Sequence, residues 1–305
     1  MEKILVTGHK CPDTDTICSA IVMAKVQSEI RNEECEAVRL GEINKETEYA
    51  LNYFKVEKPR MIENISEGQK IILVDHNEFT QSVEGIEKAK IEMVVDHHRI
   101  ANFQTSEPLY YIAKPVGCTA TLIFEICKQN NIKLDSKMAG MLLSAIISDT
   151  LLFKSPTCTE LDKKMAEELA KVANVNAEEY GIEMLKAGTD LDIFTEKQLI
   201  ELDAKNFTKD GVKYRVAQVN TVSIPDVLKR QEKIEKEMNA YIEENELDLF
   251  VLAITDILNS DSEIIALGKR VDIIEKENKL ENNRILLKGV VSRKKQIVPM
   301  IENNI

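Results

Sequence analysis

Long apolar runs, paired cysteines and a surplus of positive charge are all missing from this chain of 305 residues. No stretch approaches the ~20 apolar residues of a membrane-spanning helix, so no bilayer span is expected. Six cysteines stand at positions 11, 18, 35, 118, 127 and 158, with no Cys-x-x-Cys pair and no zinc-ligand spacing. That pattern reads as scattered reduced thiols in a cytoplasmic protein, not as a disulfide framework. Lys and Arg total 40 against 52 Asp and Glu, a net charge of −12. Neutralising nucleic-acid phosphates needs a net basic face, so no nucleic-acid partner is expected. A small anion remains open, because a few local cations or metals decide its binding. The opening Met1-Glu2-Lys3-Ile4-Leu5-Val6 has no apolar core with a cleavage site, so no secretory leader is expected there. Internal repeats and low-complexity segments are absent as well. What remains is ordinary globular composition, 44% hydrophobic and 30% charged, at a length that favours two domains.

Histidine is scarce too, and its placement is informative. The four residues are His9, His76, His97 and His98, and each follows or closes an apolar strand-like run. Val94-Val95-Asp96-His97-His98 is the clearest case: a β-branched run breaks into an acid and two adjacent imidazoles. Consecutive strand residues face opposite ways, so His97 and His98 have separate roles. Lys70–Val74 is a second apolar run and ends in Asp75-His76-Asn77; Lys3–Thr7 is a third and ends in Gly8-His9. Near-continuous apolar strands belong to a parallel sheet buried on both faces. Ligands of such sheets bind beyond the carboxyl ends of the strands, where His9, Asp75 and His97 would meet.

The loop from Gly8 to Thr16 adds Asp13 and Asp15 before a helix with Ile17, Ile21, Ala24 and Ser28 on one face. One of these acids suffices as an N-cap, which leaves the other carboxylate and His9 to bind metal. Ala37–Leu40 reads as a strand and Lys45–Lys55 as a helix. A loop through Pro108 and Pro115 leads to a helix opened by Gly117-Cys118-Thr119-Ala120-Thr121. The next helix, Ser136 to Ser148, is apolar along most of its length and ends beside Asp149. A carboxylate at a helix C-terminus is disfavoured by the macrodipole, so Asp149 is expected to face a cation. Thr157 with Glu160 has capping-box spacing, and Asn176 is placed to cap a helix reaching Lys186. Ala187-Gly188-Thr189-Asp190 interrupts the pattern. It sets the expected division into a catalytic domain 1–188, a linker 189–194 and a second domain 195–305. The second domain reads as a short helix, the segment around Lys205, a strand Tyr214–Val219, a long charged helix Pro225–Asn245, and strands at Leu249–Thr255 and Ile264–Leu267. A closing apolar strand then runs into Arg293-Lys294-Lys295. The fold class is α/β: a mainly parallel sheet flanked by helices, and a smaller α/β domain on a short linker.

His9, Asp13, Asp15, Asp75, His97 and Asp149 supply too many acids for one divalent ion. Mixed imidazole and carboxylate donors suit Mn²⁺, Fe²⁺, Co²⁺ or Zn²⁺. Two ions ~3.5–4 Å apart, bridged by a carboxylate and a hydroxide, use the whole set. Such a pair activates water and neutralises anionic oxygens, the two needs of phosphoryl hydrolysis. Lys205 and the Arg293-Lys294-Lys295 run would meet phosphate charge from the second domain.

Gly8-His9-x-x-Pro12-Asp13-x-Asp15, Asp75-His76-Asn77, Asp96-His97-His98 and Ser148-Asp149 resemble the four motifs of the DHH phosphoesterase superfamily. Ser292-Arg293-Lys294-Lys295 and the Lys205 segment resemble a DHHA2-type second domain. Together, over essentially the whole chain, they resemble the manganese-dependent family II inorganic pyrophosphatases. The resemblance implies hydrolysis of pyrophosphate to two orthophosphates with two Mn²⁺ per subunit, Co²⁺ as substitute, and Mg²⁺ arriving with the substrate. It places His9, Asp13 and Asp75 on one ion and Asp15, Asp75, His97 and Asp149 on the other, with Asp75 bridging. His98 would contact substrate and act with Asp75 and Asp13 in catalysis, while Lys205, Arg293 and Lys294 clamp phosphates. It also implies a homodimer through the first domain, closure of the second over the site, and, for want of an insert before Lys70, no nucleotide regulation. Cys11, where many relatives carry a polar residue, is a departure that would expose the site to oxidation. Exopolyphosphatase of the same two-domain superfamily is the alternative activity. A nuclease or dinucleotide phosphodiesterase would call for a Gly-rich nucleotide-binding segment, and a dead metal-binding module would lack a ligand.

Overall fold

Residues 3–189, 191–276 and 279–305 are described in the computed structural model. The chain divides into two compact units, Met1–Gly188 and Thr189–Ile305; Asp190 of the boundary tetrapeptide lies outside the described residues.

The apolar runs of the first unit become β1 (Ile4–Thr7), β2 (Cys35–Arg39), β4 (Lys70–Val74) and β5 (Lys90–Asp96). Two short strands were hidden in what read as loop, β3 (Arg60–Met61) and β6 (Tyr110–Ala113). The sheet order is β3-β2-β1-β4-β5-β6, with neighbouring strands parallel. Chain order reverses between β1 and β4, the switch point at which a parallel sheet opens a crevice beyond its carboxyl ends.

Helices α1 (Thr14–Arg31) and α3 (Thr119–Gln129) pack on one face of the sheet, and α4 (Ser136–Asp149) packs on both of them. In turn α2 (Lys45–Phe54), α5 (Glu160–Ala173) and α6 (Ala177–Gly188) surround α4. This layering explains why α4 is apolar nearly all round, with residues 138–147 buried. It also corrects the single apolar face expected of α1. Ile17, Cys18, Ala20, Val22, Met23 and Val26 are all buried because sheet and helices enclose α1 from several sides. The other face of the sheet is covered by connecting segments, where Leu5, Ile71, Leu73, Val94 and Tyr111 of the strands meet Phe79, Ile86 and Phe103. The capping box falls two residues later than the sequence suggested. Thr159 caps α5 and Asp162 reaches back to it.

The second unit holds α7 (Glu196–Leu199), β7 (Lys205–Lys209), β8 (Val212–Thr221), α8 (Ile224–Leu228), α9 (Gln231–Asn245), β9 (Leu249–Asp256), β10 (Asp261–Leu267), β11 (Arg284–Leu287) and α10 (Val298–Asn304). Its sheet runs β11-β10-β9-β8-β7, parallel only between β8 and β9. That parallel pair needs a crossover, which α8 and α9 provide. The long charged helix is thus two helices, broken around Lys229–Arg230. Central strand β9 is buried throughout because both faces are covered. Phe250, Leu252 and Ile254 join the α7–α9 side, whereas Leu249, Val251 and Ala253 join Ile297, Val298 and Ile301. Arg293-Lys294-Lys295 does not extend a strand; it opens a π-helical turn leading into α10.

Candidate metal centre

β1 ends in Thr7, and Gly8 turns the chain toward α1 in a space that admits no side chain, since a Cβ would meet Thr16 at 2.4 Å. His9 follows, with Nδ1 2.7 Å from the Lys10 carbonyl oxygen. A carbonyl only accepts, so Nδ1 carries the proton and Nε2 is free to bind. Nε2 lies 3.3 Å from Asp13 Oδ2 and 3.4 Å from Asp75 Oδ2. Asp13 combines both readings of the loop, because its Oδ1 also accepts the N-cap bond from Thr16 N at 2.9 Å.

Asp75 terminates β4 at φ 61°, in the left-handed region that Asp tolerates better than most residues. Its carboxylate is almost wholly buried and is held from both sides. Thr16 Oγ1 donates to Oδ2 at 2.7 Å, and Thr119 Oγ1 donates to Oδ1 at 3.2 Å. His9 faces Oδ2, whereas His97 Nε2 stands 3.4 Å from Oδ1. One carboxylate therefore addresses both imidazoles, each with its own oxygen.

His97 Nδ1 is paired with the Val116 carbonyl at 3.0 Å, which points Nε2 at Asp75 and at Asp149 Oδ2, 3.6 Å away. Asp149 is the last residue of α4, and the chain then turns through Leu151, Leu152 and Phe153, all with positive φ. Asp15 is fully buried, accepting from Ser19 Oγ at 2.6 Å, Thr119 N at 2.7 Å and Ala120 N at 3.2 Å. The last two donors belong to the first turn of α3, whose dipole favours a carboxylate there. Ligand atoms of His9, Asp13 and Asp75 lie within 4.8 Å of one another, and so do those of Asp15, Asp75, His97 and Asp149.

His98 is half exposed. Its Nδ1 is 2.9 Å from Asp96 Oδ1, and its backbone N–H donates to the same oxygen at 3.0 Å. Asp96 is itself buried and accepts from Asn77 Nδ2 at 2.6 Å. A third grouping of Asp75, His97 and His98 is close enough to hold a metal, but the Asp96 bond occupies His98 Nδ1 and leaves Nε2 for another partner. His98 borders a cavity of about 250 Å³ lined by His9, Asp75, His76, Asn77, Glu78, Gln81 and Arg99. His76 is buried with Nδ1 on the Val74 carbonyl, and burial lowers its pKa.

Electrostatics mark the cluster as built for cations. Burial disfavours charge on His9 and His97, yet their carboxylate neighbours raise them, to about 11 and about 9. Burial and the Asp75 charge raise Asp15 to about 7, and burial with Asp15 and Asp75 raises Asp149 well above its ordinary range. Burial alone would raise Asp75, but its bonds to His9 and His97 hold it low. Asp15 and Asp149, crowded this tightly, take up protons more readily than ordinary carboxylates unless a metal replaces them. The imidazole and carboxylate donors, with both Nε2 atoms oriented inward, fit Mn²⁺ or a similar ion.

Several residues that hold the ligands escaped the sequence reading. Thr16 and Thr119 position Asp75 through hydroxyls. Glu46 accepts from Thr14 Oγ1 at 2.7 Å and from Ser148 Oγ, linking the start of α1, next to Asp13, to the end of α4, next to Asp149. The Thr-x-x-Asp spacing at 159–162 was the one sequence signal for Asp162. In the second unit, Lys205 and Lys294 are exposed. Arg293 is buried and forked onto Asp203, with Nη2 2.8 Å from Oδ1 and Nε 3.3 Å from Oδ2.

The first unit, with its metal cluster at the carboxyl ends of a parallel sheet, matches the DHH family N-terminal domain over residues 3–146. The second matches the DHHA2 domain over residues 182–304. The class is thus the two-domain DHH–DHHA2 proteins. Among curated relatives, a manganese-dependent inorganic pyrophosphatase of Bacillus subtilis is 56% identical over 304 residues, 99% of this chain and 98% of the relative. The solved structure described as a family II inorganic pyrophosphatase of Methanococcus jannaschii is 42% identical, with a TM-score of 0.61, covering 100% of this chain and 99% of that one. An exopolyphosphatase-related protein of Bacteroides fragilis shares the fold alone, at 12% identity and TM-score 0.51 over 99% of this chain and 91% of that one. The chain belongs to the family of manganese-dependent inorganic pyrophosphatases.

Proposed function

We propose that this chain is a phosphoric-anhydride hydrolase that cleaves pyrophosphate to two orthophosphates with two Mn²⁺ ions per subunit. Family membership supports the substrate, and one observation supports the pair: Asp75 turns one oxygen to His9 and the other to His97. His9, Asp13 and Asp75 would hold one ion, and Asp15, Asp75, His97 and Asp149 the other. A bound pair supplies an acidified water as nucleophile and neutralises substrate oxygens. The chain's own part is to orient and to charge. Asp75 would be shared by the two ions, and Asp13 fixes His9 while capping α1. Asp96 fixes His98 Nδ1 so that Nε2 is presented to a phosphate oxygen as negative charge develops. Lys205, Arg293 and Lys294 clamp the phosphates. Co²⁺ substitutes for Mn²⁺, and Mg²⁺ accompanies the substrate.

The division into a catalytic domain 1–188, a linker 189–194 and a substrate domain 195–305 belongs to the same reading. So does a homodimer formed by the first domain, for which edge strand β6 has a row of backbone groups facing away from β5. The six cysteines are free and fit a reducing, cytoplasmic setting. Among the described residues, no helix is long and apolar enough to cross a membrane. The test is phosphate release from pyrophosphate and from long-chain polyphosphate, side by side, after chelation and reloading. Turnover should return with Mn²⁺ or Co²⁺ and favour pyrophosphate. Full activity of metal-free protein in Mg²⁺ alone, or preference for the long polymer, would overturn the reading in favour of another member of the class.

A further inference from the structure

Residues 116–120, where the loop after β6 enters α3, touch the His97 half of the metal cluster and reach the shared Asp75 at Oδ1, the oxygen that faces His97. Val116 gives its carbonyl to His97 Nδ1 at 3.0 Å, Thr119 N and Ala120 N hold Asp15, and Thr119 Oγ1 holds Asp75 Oδ1. Three of the four ligands on the His97 side are thus oriented by five consecutive residues. On the His9 side the orienting groups are the Lys10 carbonyl, Thr16 N and Thr16 Oγ1, all from the first loop and α1.

The loop has an anchor remote from any ligand. Asp162, wholly buried on α5, accepts from Gly117 N at 2.8 Å and from Thr121 Oγ1 at 2.6 Å, while Thr159 N and Oγ1 complete its shell at 2.7 and 2.6 Å. The fit allows no slack. A Cβ at Gly117 would stand 2.9 Å from Asp162 Oδ2 and 2.8 Å from Thr150 Cγ2. A carboxylate holding backbone and hydroxyl donors on both sides of residues 118–120 fixes where that turn sits.

We infer that Asp162 is a positioning residue that sets the geometry of one metal site only, the one formed by Asp15, Asp75, His97 and Asp149. The inference rests on the two-ion reading above. Groups that orient ligands typically govern metal affinity by about 10–100-fold. Asp162→Asn replaces an acceptor by an NH₂ group that opposes a donor, loosening the loop while leaving every ligand in place. Thr121→Val removes one anchor bond and keeps the α5 cap, so it reports even if Asp162→Asn folds poorly.

The experiment is Mn²⁺ titration of the intact metal-free chain, with binding followed by calorimetry and by the EPR signal of free Mn²⁺. Wild type should bind two ions. Each variant should hold one with unchanged affinity and the other about 10-fold or more weakly. That loss should vanish in a His97→Gln background and persist in a His9→Gln background. Wild-type stoichiometry other than two overturns the two-ion reading and this inference with it. Two ions in wild type, with both variants binding like wild type or weakening both sites alike, overturns the inference alone.

Discussion

Asp75 is held in a backbone region costly to most residues, at φ 61°, and the cost is offset by what its carboxylate meets. Hydroxyls of Thr16 and Thr119 fix its plane, and each oxygen faces a different histidine. At this scale His97 and His98 separate cleanly. His97→Gln should lower Mn²⁺ affinity with partial rescue by excess metal. His98→Gln should keep its metal and lose roughly 10²–10³-fold in turnover, the size of one lost transition-state donor. Metal analysis after gel filtration, beside kinetics at saturating Mn²⁺, decides it; a metal-poor His98 variant with a fully loaded His97 variant would reverse the two roles. A second expectation concerns pH. In the metal-free chain His9 and His97 are raised to about 11 and about 9, and Asp15 to about 7, so these groups hold protons that bound metal excludes. Lowering the proton concentration therefore favours the loaded form. Mn²⁺ affinity should climb as pH rises through 7 toward 9, with proton release detectable by calorimetry in buffers of different ionisation enthalpy. A flat affinity over that range would show that the acids are not protonated in the metal-free cluster.

The elements bring these groups together by a division of labour, strands delivering ligands and helices locking them. Helix α4 lies at the centre of the helical layer, and Gly140 lets the Phe54 ring of α2 press against it. A Cβ there would stand 2.4 Å from the ring. Gly140→Ala should thus destabilise the fold by about 1–3 kcal/mol, the usual range for overpacking, without changing the number of Mn²⁺ bound. Denaturant unfolding of the metal-free chain measures the first quantity, and an unaltered midpoint would show that α2 shifts freely. The delivering strands were legible because β1, β4 and β5 are buried apolar runs that break abruptly into Gly-His, Asp-His and Asp-His-His. The edge strands were not. Arg60 and Met61 in β3 are exposed, as are Tyr110 and Ala113 at the ends of β6, so neither has the burial that writes a period into sequence. β7, Lys-Asn-Phe-Thr-Lys, is likewise mostly exposed at the rim of its sheet. The break between α8 and α9 was masked by good helix-forming residues on either side of Lys229–Arg230. The locking contacts escaped for a different reason. Val116, Thr119 and Ala120 act through backbone carbonyl and N–H groups, which every sequence possesses and none advertises.

At the scale of the whole molecule, a net charge of −12 sets the protein against any polyanion except where cations are concentrated. In the second unit Lys205, Arg293 and Lys294 are the proposed concentration, but they are not equivalent. Lys205 opens β7 and is exposed, so its removal leaves no buried gap. Arg293 is 8% exposed, its fork set on Asp203, and its buried Nη1 meets no acceptor among the described residues. A buried donor left unpaired costs about 1–3 kcal/mol, which a phosphate oxygen would recover. Lys205→Ala should therefore raise KM for pyrophosphate while Tm stays within error. Arg293→Lys retains the positive charge but loses the planar fork that addresses Asp203 and a phosphate together. It should lower both kcat/KM, by about 10-fold or more, and Tm. Both variants should still bind as many Mn²⁺ ions as wild type, because all the proposed ligands lie in the first unit. Steady-state kinetics, thermal unfolding and metal counting on the same preparations separate these effects. Wild-type kinetics in either variant, or loss of metal in either, would remove that cation from the phosphate clamp.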